Sequence, residues 1–403
     1  MNRRLRDSKR NLFIIICIAC QMLVGCGIQE ADADIATVVT TEEVTVEAGT
    51  VEESFDKETI TVMESTEAES EEPEEMEPQN PYDFTVCFAG DINLDENWCT
   101  TQYLNEQPNG IADCISAELL KHMNEADIMC LNNEFTYSNG GEPLPDKMYT
   151  FRANPERVSV LQEMGVDIVK LANNHVYDYG KQALLDTFDT LDGVGIEYVG
   201  AGHNLSEAME PVYMELDGKT IAFVAASRAE KFKMTPQATE ESPGILRCYD
   251  TELFLETIKE ADANADFVLA YVHWGTEYSY DLEEVQLSTG KEYLDAGADV
   301  IIGAHSHCLQ GMEFYDGKPI IYSLGNYWFN EKTLDTVLLD LHFYGDDNNM
   351  QLEVSVVPAI QSGYCTRIVE EAEEKERIFT FLEDISINVE IDEEGIIQER
   401  TEN

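Results

Sequence analysis

VDIVKLANNHVYDYG, residues 166–180, is the stretch that decides the fold. Its apolar run Val166–Leu171 reads as a buried strand and stops at the polar cluster Asn173-Asn174-His175. Helical spacing then runs from Lys181 to Leu191. A strand that ends in polar groups and passes into a helix is the repeating unit of an α/β sheet, whose ligand sites lie outside the carboxyl ends of the strands.

The same design recurs on both sides of this stretch. Phe84–Ala89 ends at Gly90-Asp91, Ile128–Leu131 at Asn132-Asn133-Glu134, Phe267–Val272 at His273, and Val300–Gly303 at His305 and His307. Helices are predicted over Cys114–Met123, Pro155–Met164, Thr251–Ala261 and Leu287–Ala296. Asp217-Gly218 and Asp316-Gly317 each sit between apolar runs and predict β-hairpins, and Thr336–Phe343 and Leu352–Val357 are strand-like. Such β-rich pieces around β-α-β units predict two packed sheets with helices outside.

The residues at the strand ends are donors that divalent ions use: carboxylates, an amide and imidazoles. Taken singly, an Asp after a strand is commonly a turn former, and a buried His a hydrogen-bonded core residue. Together they point to one metal site, because four of the seven histidines fall in these clusters. His122, His203 and His342 lie elsewhere and read as ordinary structural histidines.

The amino-terminal segment indicates where such a site would work. Five basic groups between residues 2 and 10 precede the apolar run Leu12–Val24, which is short for a membrane span, and Leu23-Val24-Gly25-Cys26 follows. This predicts a lipoprotein signal peptide over residues 1–25 and lipidation of Cys26, with an uncleaved anchor as the alternative. Either places the rest outside the cytoplasmic membrane. Residues 26–81 are rich in Glu, Thr and Val, culminate in the acidic run Glu67–Glu77, and predict a disordered tether. A domain is expected over 82–365, with an acidic carboxyl-terminal extension over 366–403.

With 25 basic against 80 acidic residues, the formal net charge is −55. A nucleic acid would be repelled by that field, so it is not an expected partner. Of ten cysteines, Cys17 and Cys20 leave with the leader and Cys26 takes the lipid. The other seven contain no C-x-x-C, so neither a full disulfide framework nor a zinc ribbon is indicated; Cys87 and Cys130 read as buried thiols.

Six stretches, FAGDINL, LNNEFT, LANNHVYDYG, YVHWGTEY, DAGADVIIGAHSHCLQ and KPIIYSLGNYWF, stand in order between residues 84 and 330. Through them the chain resembles the bacterial capsule synthesis family CapA, which includes the PgsA component of poly-γ-glutamate synthesis and has a calcineurin-like metallophosphoesterase fold. The resemblance implies a four-layer α-β-β-α sandwich of two mixed sheets flanked by helices. It also implies one or two divalent ions (Mn, Zn, Fe or Mg), with Asp91 and His307 on the first, Glu134 bridging, and Asn174, His273 and His305 on the second. His175 would be the general acid.

This chain departs from the family pattern in two ways. The usual Asp-x-His is Asp91-Ile92-Asn93, and the bridging Asp is Glu134. Asn93, Glu277, Ser323 and Asn326 are further candidates for metal or substrate contact, Trp274 and Tyr278 for the pocket wall, and Arg152, Lys170 and Arg228 for anion contact. The expected function is that of a cell-surface lipoprotein of capsule or poly-γ-glutamate-type polymer biosynthesis. It would carry a phosphoesterase-like hydrolase site acting on a phosphoester or anionic polymer, inside a membrane polymer-synthesis complex. The alternative is a non-catalytic, metal-binding component of that complex.

Overall fold

The computed structural model describes residues 80–229 and 234–400; the expected leader, Cys26 and the tether up to residue 79 lie outside them. In the first half, the main elements are β1 (Tyr82–Ile92), α1 (Ala117–Glu125), β2 (Ile128–Asn133), α2 (Val158–Glu163), β3 (Ile168–Lys170), α3 (Gly180–Asp192) and β4 (Glu197–Val199). The second half adds β5 (Val212–Leu216), β6 (Lys219–Ser227), α4 (Glu252–Asp262), β7 (Phe267–His273), α5 (Glu284–Asp295), β8 (Val300–Ala304), β9 (Leu309–Tyr315) and β10 (Lys318–Leu324). Then come β11 (Asn326–Trp328), β12 (Leu334–Asp346), β13 (Asn349–Ser362), β14 (Cys365–Ile368) and α6 (Ala372–Ile385).

Two mixed sheets result. The first runs β14-β13-β12-β1-β2-β3-β4, with β11 also paired to β1; the second runs β9-β10-β8-β7-β6-β5. β1 to β4 are mutually parallel, as are β6, β7, β8 and β10. The carboxyl ends of the central strands in each sheet therefore share one edge.

Alternation along the strands builds the four layers. Phe84, Val86 and Phe88 of β1 point to the same inner core as Phe223, Tyr271 and Ile302 of the second sheet, with the Phe88 and Tyr271 rings 5.7 Å apart. Cys87 and Ala89, on the other face of β1, join Met129, Leu131 and residues such as Leu119, Leu161 and Phe188 from α1, α2 and α3. Ala222, Val224, Val268 and Ala270 face Phe254 and Ile258 of α4 and Tyr293 of α5. The expected α-β-β-α sandwich is thus present.

Both hairpins turn where expected, with positive φ at Asp217-Gly218 and Asp316-Gly317 as tight two-residue turns require. Two helices start later than their spacing suggests. Cys114–Ser116 is drawn into strand-like pairing with Thr366, so α1 begins at Ala117. Pro155–Arg157 forms a 3-10 turn capped by Asn154, and only then does α2 begin. The boundary expected at Cys365 falls at the start of β14. The acidic segment beyond it supplies α6, whose Ile378, Phe379 and Leu382 are buried in the inter-sheet core.

Candidate metal centre

At the shared edge, Asp91 is the penultimate residue of β1, the turn after β2 carries Glu134, the turn after β3 carries Asn174 and His175, β7 ends on His273, and the turn after β8 carries His305 and His307. Close backbone approach makes this convergence possible. Asp91 N donates to the Gly325 carbonyl at 2.8 Å, and a Cβ on Gly90 would stand 2.0 Å from that same oxygen. β11 then pairs Asn326 beside Asp91. His305 and His307 have φ of 98° and 55°, values that non-glycine residues hold mainly where the surroundings over-determine them, often at functional sites.

Two ligand groups emerge that share one member. Donor atoms of Glu134, His273 and His305 lie within 4.8 Å of one another, and so do those of Asp91, Glu134 and His307. All five side chains are buried. Glu134 Oε1 stands 3.7 Å from His273 Nε2 and 3.9 Å from His307 Nε2. Glu134 Oε1 and His305 Nδ1 have no hydrogen-bond partner among the described residues, and Asp91 Oδ2 has only the His307 Nδ1 contact at 3.2 Å. Buried polar atoms without hydrogen bonds cost about 1–3 kcal/mol each, and these atoms belong to residues of the two ligand groups, which fits cation binding. The donor set of carboxylate and imidazole suits Mn, Zn, Fe or Mg.

Neighbouring side chains fix these donors. Asn132 Nδ2 donates to Asp91 Oδ1 at 2.6 Å and to Glu134 Oε2 at 3.1 Å, holding the two carboxylates together. His307 Nδ1 is 2.8 Å from Asn326 Oδ1 and 3.2 Å from Asp91 Oδ2. His273 lies between Lys170 Nζ, 2.8 Å from its Nδ1, and Asn174 Oδ1, 2.7 Å from its Nε2. His175 Nδ1 meets Asp178 Oδ2 at 2.7 Å, and its ring packs on Phe151.

Burial and charge set the protonation. Burial works to raise the Asp91 pKa, but His307, Lys170 and Asn132 together hold it below the usual carboxylate range. Burial and the Asp91 charge push Glu134 well up. Burial opposes protonation of His307, yet Glu134 and Asp91 raise it to about 9. Burial and the His307 charge lower His305 to about 3, and burial lowers His273 and His175 as well. His273 and His305 are therefore neutral imidazoles at neutral pH.

The softer candidates separate. Asn93 Oδ1 accepts the Asp95 backbone N–H at 2.8 Å, so one of the two lone pairs of the amide oxygen offered as a replacement ligand is engaged, as that of Asn174 Oδ1 is by His273. Ser323 is buried and holds the loop through Ser306 Oγ and Gly325 N. Asn326 positions His307, and Glu277 is exposed near enough to Glu134 and His307 for its charge to act on both. Trp274 turns into the outer helical core and donates to the Tyr322 carbonyl. Tyr278 is 43% exposed, lies 5.7 Å from the His307 ring and carries Lys332 Nζ 3.4 Å over its face. Lys170 is buried behind His273, while Arg152 and Arg228 lie over Tyr179 and Tyr249.

Asp178 and the bridging role of Asn132 were not singled out from the sequence. The signal for Asp178 was its place three residues after His175 in NHVYD.

A family model described as bacterial capsule synthesis protein PGA_cap matches residues 85–331. The chain is 37% identical over 264 residues to the PGA biosynthesis protein CapA of Bacillus subtilis, covering 64% of this chain and 67% of that one. It is 35% identical over 241 residues to the capsule biosynthesis protein CapA of Bacillus anthracis, covering 58% and 57%. The match thus spans from over half to about two thirds of these relatives' own lengths. Among solved structures, a putative 5'-nucleotidase from Staphylococcus aureus is similar at a TM-score of 0.41 and 14% identity, over 74% of this chain and 58% of that one. With the family model spanning well over half of its residues, the chain belongs to the bacterial capsule synthesis protein PGA_cap family.

Proposed function

We propose that this protein is a metal-dependent hydrolase of the phosphoesterase type, working in the synthesis of a capsule or poly-γ-glutamate-type polymer. The observation that carries the reading is Glu134, buried, shared by both ligand groups and presenting an unpartnered Oε1 between His273 and His307. Asp91, Glu134 and His307 would hold one divalent ion, and Glu134, His273, His305 and Asn174 a second. Such ions supply Lewis acidity toward a phosphoryl oxygen and make a bound water more acidic.

The chain's own residues then bind and move protons. Asn132 and Asn326 keep Asp91, Glu134 and His307 in place. Asp178 holds the His175 Nδ1 proton, which reserves Nε2 for the reaction. His175 is neutral before substrate arrives, and the negative charge of a phosphoester favours its protonated form. Nε2 then donates to the leaving oxygen.

The test is elemental analysis of protein purified without chelators, followed by hydrolysis of a generic aryl phosphodiester. Bound metal with metal-dependent turnover supports the reading, and metal-free protein overturns it. A second reading, a non-catalytic metal-binding component of the polymer assembly machinery, is favoured by one observation. An amide, Asn93, stands where the family pattern has a His, and its oxygen already accepts from Asp95 N, so the first ion has three carboxylate and imidazole donors.

Localisation is proposed from the leader: cleavage before Cys26 and lipidation there would hold the domain outside the cytoplasmic membrane on the acidic tether, within reach of a polymer-synthesis complex. Cys26→Ala should leave the precursor uncleaved. A mature amino terminus mapped elsewhere would overturn the anchor.

A further inference from the structure

The structure also brings together three residues that the sequence scattered. Cys87 lies on the helix-facing side of β1, Asp340 stands directly across from it on β12, and His122 comes from α1. The antiparallel register sets Cys87 opposite Asp340, which puts their Cβ atoms about 4.5–5.5 Å apart. His122 Nε2 approaches Asp340 Oδ2 at 2.7 Å. One donor atom from each of the three lies within 4.8 Å of the others.

We propose that Cys87, His122 and Asp340 form a second, separate divalent-metal site of zinc type. Four features carry this. Thiolate, imidazole and carboxylate are the zinc donors, and three of them leave a fourth position for water. Asp340 is 8% exposed and its carboxylate faces both other members: Oδ2 meets His122 at 2.7 Å, and the same carboxylate stands against the Cys87 thiol. Zn²⁺ with one thiolate and one carboxylate is electrically neutral, the arrangement a buried site tolerates. The His122 side chain is 36% exposed, which gives the ion an entry path to the fully buried Cys87. On binding, the Cys87 S–H bond breaks, its proton leaves to solvent and an S–Zn bond forms, with no change of oxidation state.

The site is distinct from the Glu134 centre. Cys87 precedes Asp91 by four residues on the same strand, roughly 13 Å at about 3.3 Å per residue, and the two groups share no residue. An ion there would tie α1 to β1 and β12 beneath the strand end that presents Asp91.

The test uses the full chain with the first centre disabled by Glu134→Gln and His305→Gln, and with Cys308→Ala to remove the thiol beside His307. Zinc stoichiometry by equilibrium dialysis and Co²⁺ absorption are then measured. Expected are one Zn²⁺ per chain and a thiolate-to-cobalt charge-transfer band. Cys87→Ser should abolish the band, and His122→Gln, at a half-buried position, should weaken zinc binding at least tenfold with the fold retained by circular dichroism. No zinc bound by the disabled chain, or a charge-transfer band that survives Cys87→Ser, would overturn the proposal.

Discussion

Lys170 Nζ lies 2.8 Å from Nδ1 of His273, with both side chains fully buried. A protonated Lys170 can only donate, so Nδ1 accepts and the ring proton sits on Nε2, facing Asn174 Oδ1. An ion at Nε2 needs the opposite tautomer, with Nδ1–H donating to a neutral amine. Burial has already lowered the Lys170 pKa to about 8, against the pull of Asp91 and Glu134. Taking up an ion should therefore release the Lys170 proton. Mn²⁺ affinity is expected to rise steeply from pH 6.5 to 8.5, by roughly tenfold per pH unit for each proton displaced. Lys170→Met should reduce the slope by about one proton in calorimetry across buffers; an unchanged slope would remove Lys170 from the linkage.

The metal-free protein should behave in the opposite sense. The folded-state pKa of His307 is raised from 6.5 to about 9. Its contribution to stability is fully present below pH 6.5 and is lost as the pH rises through about 9. The raised Glu134 acts in the same direction. Melting temperatures in chelator should fall across that window, and the stabilisation by added Mn²⁺ should grow. A metal-free melting point that climbs from pH 6.5 to 9 would contradict the His307–Asp91 ion pair.

Shared ligation makes the carboxylates unequal. Glu134→Gln should cost both ions, whereas Asp91→Asn should cost one, because only Glu134 belongs to both groups. Metal per chain by elemental analysis separates the cases. Equal losses would mean that Glu134 does not bridge.

His175 separates enzyme from scaffold. His175→Ala should keep fold and metal content yet lower turnover by about 10²–10⁴. Asp178→Asn should lower it less, since the Nδ1 partner changes from a charged to a neutral acceptor. If the protein is a scaffold, polymer production in cells should survive His175→Ala. Equal turnover of wild type and variant on a substrate that needs the metal would refute the acid assignment.

Gly90→Ala tests the convergence itself. The new Cβ would meet the Gly325 carbonyl oxygen at 2.0 Å, backbone against backbone. The expected loss is about 1–3 kcal/mol by denaturant titration, with reduced metal content because Asp91 is displaced. Wild-type stability and metal content together would show that the loop after β10 can yield.

The sequence alone determined the layer architecture and most of the metal candidates, since both follow from local pattern. Strand runs such as Phe267–Val272 alternate or are apolar throughout, Asp-Gly pairs demand turns, and Asp91, Glu134, Asn174, His175, His273, His305 and His307 each sit at a strand end. What local pattern cannot express is which atoms are already used. The fold shows the Asn93 oxygen already accepting from Asp95 N, and it places Lys170, which read as an anion contact, behind His273. The acidic residues beyond Cys365 read as an appendage, yet the apolar face of α6 closes the inter-sheet core. Cys87, His122 and Asp340 had nothing in common along the chain; strand register and the seat of α1 brought them together. Hydrogen-bond partners and long-range neighbours are properties of packing, and packing is decided only when the two sheets and their helices close on one another.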